Sequence, residues 1–263
     1  MALLQNIEPM RKRGTDSSGL LTNRAAIEKR HREKMCAILF FLRTSIYSTS
    51  EILGQVAGLN ADSAVRATLR GMEEKQLLRR ETFLEFTGKY TLWGITLAGQ
   101  NTIADIIGLE PAGIFFNPAS VSLHRLIHKI TIQKLRVAGE KHGWSQFDYS
   151  DSRQLKRQKD RSELRPDLTA VDTSGLRAAI ECELHRKSMP RYKERVIPSH
   201  VAALNAGNYD YVVWVCPDKS QADILRQNLK TVIQELSAEQ NLNLDKTKTK
   251  PFHVTDLSSW PQF

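Results

Sequence analysis

Apolar residues recur at helical spacing through the first third of the chain and alternate over shorter runs after it. The spacing predicts three helices, over 24–43, from Ser48 onwards and over 61–75. The second helix begins with a capping box, Ser48 followed by Glu51. Two runs of strand character come next, over 77–86 and 90–95. Helix, short turn, helix and strand pair together predict a winged helix-turn-helix over residues 24–104.

Basic side chains are spread over the third predicted helix and the strand pair. Arg66 and Arg70 lie four residues apart, on one helix face that could enter a major groove. The strands carry Arg79, Arg80 and Lys89. We interpret these five residues as candidates for DNA contacts. The other interpretation is a helical domain for protein contacts or dimerisation, because a fold alone does not fix a function.

Two segments have the composition of connections. Residues 1–23 contain a basic cluster with Gly and Ser, and are predicted to form a flexible basic arm. Such an arm either neutralises DNA phosphates or has no role. Residues 105–120 hold two prolines and two glycines and are predicted to form a linker. The aromatic residues in this linker indicate that it packs against another part of the chain.

Acidic residues alternate with apolar ones in the stretch from Arg165 to Lys193. Two strands are predicted there about an Asp-Thr-Ser-Gly turn, and the second places Glu181 and Glu183 on one face. An antiparallel partner beginning at Asp167 adds a third carboxylate, and such oxygen ligands suit Mg²⁺. The other interpretation is a solvated polar face. The apolar character of the strand argues against it, since buried like charges repel and need a cation or a function.

The rest of residues 121–263 alternates between helical and strand patterns. Helices are predicted over 121–141, after Pro190 and over 221–236, and further strands over 144–149, 211–216 and 252–257. This order predicts an α/β domain with a mixed central sheet. A basic run includes Lys156 and Arg157, and its position beside the acidic strands favours phosphate contacts over the other interpretation, a solvated loop. His124 and His128 lie four apart, a spacing found in metal pairs but more often in surface or core histidines.

The composition indicates a polyanionic partner. The chain has 263 residues, enough for two domains, and a formal net charge of +9, which favours nucleic acid or an anionic membrane. No run approaches the roughly 18 apolar residues of a membrane span, and no secretion signal is evident. The three cysteines lie in apolar sequence without metal-type spacing, as small buried hydrophobes do. We therefore expect a cytoplasmic protein with no membrane partner.

The order of elements in residues 121–263 resembles the restriction-endonuclease-like, or PD-(D/E)xK, nuclease core. Pro166-Asp167 stands as the PD, and Glu181-Cys182-Glu183 stands in the place of (D/E)xK. With the predicted winged helix, the chain resembles the MOB-C and replication-relaxation group of plasmid relaxases, which includes MobC-like mobilisation proteins. The resemblance implies a sequence-specific DNA nickase that uses Mg²⁺ or Mn²⁺ at an origin of transfer. Accessory mobilisation and coupling proteins are further implied partners.

The resemblance also implies roles for individual residues. Asp167 and Glu181 would hold the metal, and Glu183, which replaces the motif lysine, would orient a water or a second ion. Lys187 or Lys193 would take over the lysine's role of stabilising the transition state. Tyr192 could be a nucleophile, although a packing or phosphate-contacting tyrosine is the more common case. A basic residue beside it, Arg191, would contact DNA.

Two other classes of protein share these features. A winged-helix regulator or replication initiator with an inactive nuclease-like domain needs the same basic surfaces but no metal. A transposon-associated or restriction-type endonuclease has the same site but cuts both strands. The second class differs from a nickase in its products, and the sequence alone does not separate the two kinds of enzyme.

Overall fold

The structure is a computed structural model that describes residues 24–85, 88–149, 165–239 and 251–262. The chain divides into two compact units, Met1–Gln133 and Lys134–Phe263. The described residues form helices, a small antiparallel sheet in the first unit and a mixed five-stranded sheet in the second. The predicted α+β class and the mixed central sheet are thereby confirmed. The finer assignments, a winged helix and a restriction-endonuclease-like core, stay predictions.

The first unit begins with the helices and strands that the apolar spacing predicted. Its elements are α1 (Arg24–Ser45), β1 (Tyr47–Ser48), α2 (Ser50–Val56), α3 (Asp62–Glu74), β2 (Leu78–Glu85), β3 (Gly88–Ile95) and α4 (Leu97–Ile107). The three strands lie in the order β1-β3-β2, all antiparallel. In α3 the buried side chains are Val65, Leu69 and Met72. They form one helical stripe, which leaves the opposite face of α3 to solvent.

The capping residue of α2 differs from the prediction by one position. Thr49 is the N-cap, and its side-chain oxygen accepts a hydrogen bond from the Ile52 amide at 3.4 Å. Ser48 lies in β1 instead, where it is buried and its hydroxyl donates to Gln133 Oε1 at 2.6 Å. Because that hydroxyl is engaged by a residue distant in sequence, local pattern could not reveal it.

Residues of the predicted linker pack onto the first unit. The Phe116 amide donates to the Ile95 carbonyl at 2.8 Å, and the Phe116 side chain is buried. Gly94 makes this possible, since a Cβ there would lie 2.0 Å from the Phe116 ring. The division between the compact units falls further on, inside α5 (Leu126–Lys141). The predicted linker over 105–120 thus lies within the first compact unit.

The second unit is organised around the mixed sheet. Its strands are β4 (Ser145–Tyr149), β5 (Leu168–Val171), β6 (Arg177–Cys182), β7 (Tyr211–Cys216) and β8 (Phe252–Asp256), in spatial order β4-β5-β6-β7-β8. β5 pairs antiparallel with both β4 and β6, whereas β6, β7 and β8 are parallel. Parallel strands need covered faces, and every residue of β7 is buried.

Two helices cover one face of this sheet. The first, α6, comprises Met189–Arg191, the π-helical turn Tyr192–Val196 and Ile197–Asn205, and the second is α7 (Lys219–Ala238). Their apolar side chains form one buried cluster with Ala179 of β6 and Val212 and Trp214 of β7. Side chains on a strand share a face at every second residue, so Glu181 lies on this helix-covered face with Ala179.

Candidate active site

The pairing of β5 with β6 brings two of the predicted carboxylates together. Leu168 lies opposite Ile180 in the register, so Asp167 and Glu181 are the next cross-strand pair. Asp167 Oδ2 accepts a hydrogen bond from the Cys182 amide at 2.9 Å, which fixes its side chain beside the end of β6. The negative charge of Asp167 also helps to raise the pKa of Glu181, so the two carboxylates interact.

Glu181 is a buried acid in the centre of the sheet. Its exposed fraction is 7%, and burial is the main cause that raises the pKa of its carboxyl group. His200 opposes that effect, because its Nε2 atom lies 3.2 Å from Glu181 Oε1. The His200 Nδ1 atom in turn lies 2.7 Å from the Tyr209 hydroxyl. A line of three polar side chains therefore runs from Tyr209 through His200 to Glu181.

The sequence analysis missed His200. A signal was present, because His200 interrupts the apolar helical spacing of Ile197, Val201 and Leu204 in the helix that follows the acidic strand. The π-helical turn precedes it, with the Ile197 amide donating to the Tyr192 carbonyl five residues back. Pro198 has no amide hydrogen for the usual helical bond, which accounts for a widened turn at this point.

Glu183 forms a second buried acidic group, at the end of β6. Its amide donates to the Val215 carbonyl at 3.0 Å, so the backbone still follows the sheet beyond the last residue of the strand. The Glu183 carboxylate is ion-paired with the Lys187 ammonium group, with the side chains 1% and 22% exposed respectively. Lys187 is thus the lysine that the chain brings to the acidic strand. We call Asp167, Glu181, Glu183 and Lys187 the carboxylate site.

The other lysine candidate, Lys193, lies on α6, whereas Lys187 precedes that helix. The Lys193 ammonium group contacts Glu235 at 3.1 Å and Glu239 at 2.7 Å, both at the C-terminal end of α7. These contacts tie α6 to α7 and place the Lys193 ammonium group at α7, whereas the Lys187 ammonium group contacts Glu183 at the end of the acidic strand. The geometry therefore favours Lys187 over Lys193 as the replacement for the motif lysine.

Tyr192 is completely buried within the cluster under α6 and α7. Burial raises the pKa of its phenol, and the neighbouring charge of Glu183 raises it further. The hydroxyl oxygen accepts a hydrogen bond from the Lys187 amide at 3.4 Å. A nucleophilic tyrosine needs an accessible hydroxyl that ionises readily, so this placement favours the packing role over the nucleophilic one.

The donor chemistry of the carboxylate site suits a hard divalent cation. Mg²⁺ is commonly held by one or two carboxylates, with water and substrate phosphates completing its shell. Asp167 and Glu181 present two carboxylates at neighbouring positions of the paired chain segments. Across the residues that the structure describes, no three His, Cys, Asp or Glu side chains form a ligand group.

The predicted DNA contacts lie mainly on the surface of the first unit. We call Arg66, Arg70, Arg79 and Arg80 the arginine surface; all four are exposed, as is Lys89 on β3. Arg66 lies 3.7 Å from Asp62, Arg79 lies 3.1 Å from Glu81, and Arg80 lies 3.9 Å from Glu73. Arg191 is exposed on α6 of the second unit. Lys156 and Arg157 lie outside the described residues.

Of the two histidines with metal-type spacing, only one lies in a helix that the structure assigns as α-helical. His128 belongs to α5, whereas His124 lies in a 3-10 turn just before it, where its Nδ1 atom is 3.2 Å from the Ser122 hydroxyl. The four-residue spacing along one continuous α-helix, on which the metal interpretation relied, is therefore not present.

No protein-family model matches the chain, and no curated protein shows significant similarity to it. Within the described ranges, no helix is both long enough and apolar enough to cross a membrane.

Proposed function

We propose that this chain is a metal-dependent DNA nickase of the plasmid mobilisation relaxase type, acting at an origin of transfer. The observation that carries the proposal is the cross-strand pair of Asp167 and Glu181 beside a buried Glu183–Lys187 ion pair. Buried carboxylates of like charge are costly, so a central strand that keeps them implies a function for them. A PD-(D/E)xK-like core accounts for this set of residues.

The chain's own groups have distinct parts in the reaction. Mg²⁺ or Mn²⁺, bound by Asp167 and Glu181, would polarise the scissile phosphate and lower the pKa of a bound water. The hydrogen bond from the Cys182 amide holds the Asp167 carboxylate in place. Lys187 supplies a fixed positive charge at the end of the acidic strand, where negative charge develops on the phosphate. Glu183 keeps the lysine there and orients the attacking water.

DNA recognition falls to the first unit, which we propose is a winged helix. In that arrangement α3 enters the major groove, and Arg66 and Arg70 read base edges from its exposed face. The β2–β3 hairpin is the wing, where Arg79, Arg80 and Lys89 contact phosphates. Arg66, Arg79 and Arg80 are exposed within their ion pairs, so exchanging a carboxylate for a DNA phosphate costs little.

A plasmid relaxation assay tests the proposal. Purified protein is incubated with supercoiled plasmid carrying the origin region native to this chain, with Mg²⁺, Mn²⁺ or a chelator, beside an Asp167→Ala variant. Open circles formed only with metal and only by the unaltered protein support the nickase. Linear product would instead indicate a double-strand-cutting endonuclease of transposon or restriction type. Reactions with and without accessory mobilisation proteins show whether those partners are needed to open the duplex.

A second candidate function is a DNA-binding regulator or replication initiator with an inactive nuclease-like domain. The observation that favours it is that Glu183 is neutralised by Lys187 and Glu181 contacts His200, so both acids have partners without a metal. In this case the variants Asp167→Asn and Glu181→Gln would keep full biological activity. Binding to the origin region without cleavage under any condition would favour the regulator.

A further inference from the structure

His200 is a buried polar residue whose position is set by its helix. The apolar side chains of Ile197, Val201 and Leu204 fix one face of α6 against the sheet, and His200 lies on that same buried face. Its side chain is completely buried. Polar residues at such positions are normally retained only with hydrogen-bond partners or a function.

The partners of His200 lie on both sides of its ring. Nδ1 is 2.7 Å from the Tyr209 hydroxyl, and Nε2 is 3.2 Å from Glu181 Oε1. The Trp214 ring meets the imidazole edge to face, with centroids 5.3 Å apart and an interplanar angle of 85°. Tyr209 and Trp214 thus restrict the imidazole from two directions and hold Nε2 towards the carboxylate.

Two buried polar atoms, Glu181 Oε1 and His200 Nε2, meet where Glu181 contacts His200. Within the described residues, neither Glu181 Oε1 nor His200 Nε2 has an aligned hydrogen bond, although the two atoms face each other at 3.2 Å. A carboxylate turned slightly would complete a hydrogen bond with the imidazole.

We propose that His200, held by Tyr209, is the positioning residue that orients the Glu181 carboxylate for a divalent cation. The inference rests on the proposed function, because it assumes that Glu181 is a metal ligand. His200 holds one carboxylate oxygen, and the other oxygen is thereby directed to the cation. Hydrogen-bonding partners behind a ligating group fix its orientation, and losing one typically costs about 10-fold to 100-fold in metal affinity or activity.

Three variants test this role. His200→Leu removes both nitrogen atoms, His200→Gln keeps an amide that can reach Glu181, and Tyr209→Phe removes only the outer hydroxyl. Tyr211→Phe is the matched control, because Tyr211 is also a buried tyrosine but its hydroxyl donates to Asp172 at 2.7 Å. Each variant is measured for thermal unfolding, Mn²⁺ affinity by calorimetry without DNA, the affinity for origin DNA, and the single-turnover nicking rate.

We expect His200→Leu to weaken Mn²⁺ binding and to slow nicking by about 10-fold to 100-fold, with unchanged DNA affinity. His200→Gln should recover most of the Mn²⁺ affinity, and Tyr209→Phe should fall between. Tyr211→Phe should match the unaltered protein in Mn²⁺ affinity, DNA affinity and nicking rate, although losing the bond to Asp172 lowers its stability. If His200→Leu, His200→Gln and Tyr209→Phe are folded and bind Mn²⁺ as tightly as the unaltered protein, the inference about His200 is overturned. The proposed nuclease function would still stand in that case. If His200→Leu and His200→Gln lose Mn²⁺ affinity equally, the loss is an effect of packing, and the inference is overturned as well. Absence of both Mn²⁺ binding and nicking in the unaltered protein would remove the nuclease proposal and this inference with it.

Discussion

Charged residues of the arginine surface and of the carboxylate site differ in their access to water. Arg66 and Asp62 form an ion pair in which the side chains are 64% and 91% exposed, whereas the buried pair of Glu183 and Lys187 is 1% and 22% exposed. An exposed pair is worth little and can exchange partners, but a buried pair carries a large desolvation cost. The first arrangement suits binding of a large anion, and the second suits chemistry that needs charge held in a fixed geometry.

The largest effect that we predict is the loss of nicking in Glu181→Gln. The amide keeps the size of the side chain but removes the negative charge, so the rate should fall about 1000-fold, equivalent to about 4 kcal/mol. Affinity for DNA should stay within about twofold, because the arginine surface is unchanged. Single-turnover nicking and filter binding measure the two properties. Glu235→Gln, a half-exposed glutamate on α7, is the control and should nick normally.

Lys187→Met should produce the largest loss of stability. It leaves the buried Glu183 carboxylate without its cation, which costs about 3 kcal/mol in the free energy of unfolding. The double variant Lys187→Met/Glu183→Gln should recover most of this loss, because neither charge remains. Urea unfolding of the single and double variants gives the coupling energy. If the double variant is as unstable as the single one, the lysine stabilises the fold through packing and not through charge.

Much of the fold could be predicted because local sequence encodes it. The alternation before Cys182 and the apolar run of β7 predicted the central strands, and the Asp172–Gly175 turn joins β5 to β6 as expected. Asp167 and Glu181 could be paired in advance, since antiparallel strands joined by a short turn place residues opposite each other.

The rest depended on contacts between residues distant in sequence. His200 approaches Glu181 only through the packing of α6 on the sheet, and the choice of Lys187 over Lys193 depends on which acids each lysine meets. Ser48 has the residue type and spacing of a helix cap, yet its hydroxyl donates a hydrogen bond to Gln133 instead. Such partners are set by tertiary packing, which the periodicity of a single segment does not contain.

The arginine surface should control binding and not catalysis. Arg66→Ala and Arg70→Ala should each weaken binding to the cognate DNA by about 1–3 kcal/mol and relax sequence preference. The nicking rate at saturating DNA should be unchanged. Competition binding with cognate and scrambled duplexes measures the preference. Arg226→Ala on α7 is the control for loss of an exposed arginine. A slower rate at saturation in Arg66→Ala would contradict the division of roles.

A smaller effect is expected at the β5–β6 turn, where stability should depend on pH through Asp172. Burial alone raises the pKa of Asp172, but hydrogen bonds from Tyr211, Ser174 and the Leu176 amide lower it overall. A group whose pKa is lowered in the folded state contributes stability at pH values above its unfolded-state pKa. This contribution is lost as the pH falls through the folded-state pKa. Tyr211→Phe should therefore cost about 1 kcal/mol at neutral pH.

Urea unfolding at neutral and acidic pH checks this prediction. The difference in stability between the unaltered protein and Tyr211→Phe should shrink as the carboxyl group becomes protonated. A difference that is constant over the whole acidic range would mean that the Tyr211 hydroxyl acts independently of the Asp172 charge.

The smallest effect is expected for Asp62→Asn on α3. The Arg66–Asp62 pair is exposed on both sides, so its loss should change the free energy of unfolding by less than about 0.5 kcal/mol. Removing the acid also frees Arg66 for DNA, and affinity should stay the same or rise. Thermal unfolding and DNA titration measure both properties. Destabilisation as large as that of Lys187→Met would contradict the contrast between the two regions.

The central claim is that the buried carboxylates are retained to bind a divalent cation. Calorimetric titration of Mn²⁺ into the unaltered protein and into the Asp167→Asn/Glu181→Gln double variant tests it most directly. We predict saturable binding by the unaltered protein and none by the double variant, with both proteins folded to the same extent. Equal binding by the two proteins, or no binding by the unaltered protein even with origin DNA present, would contradict the account.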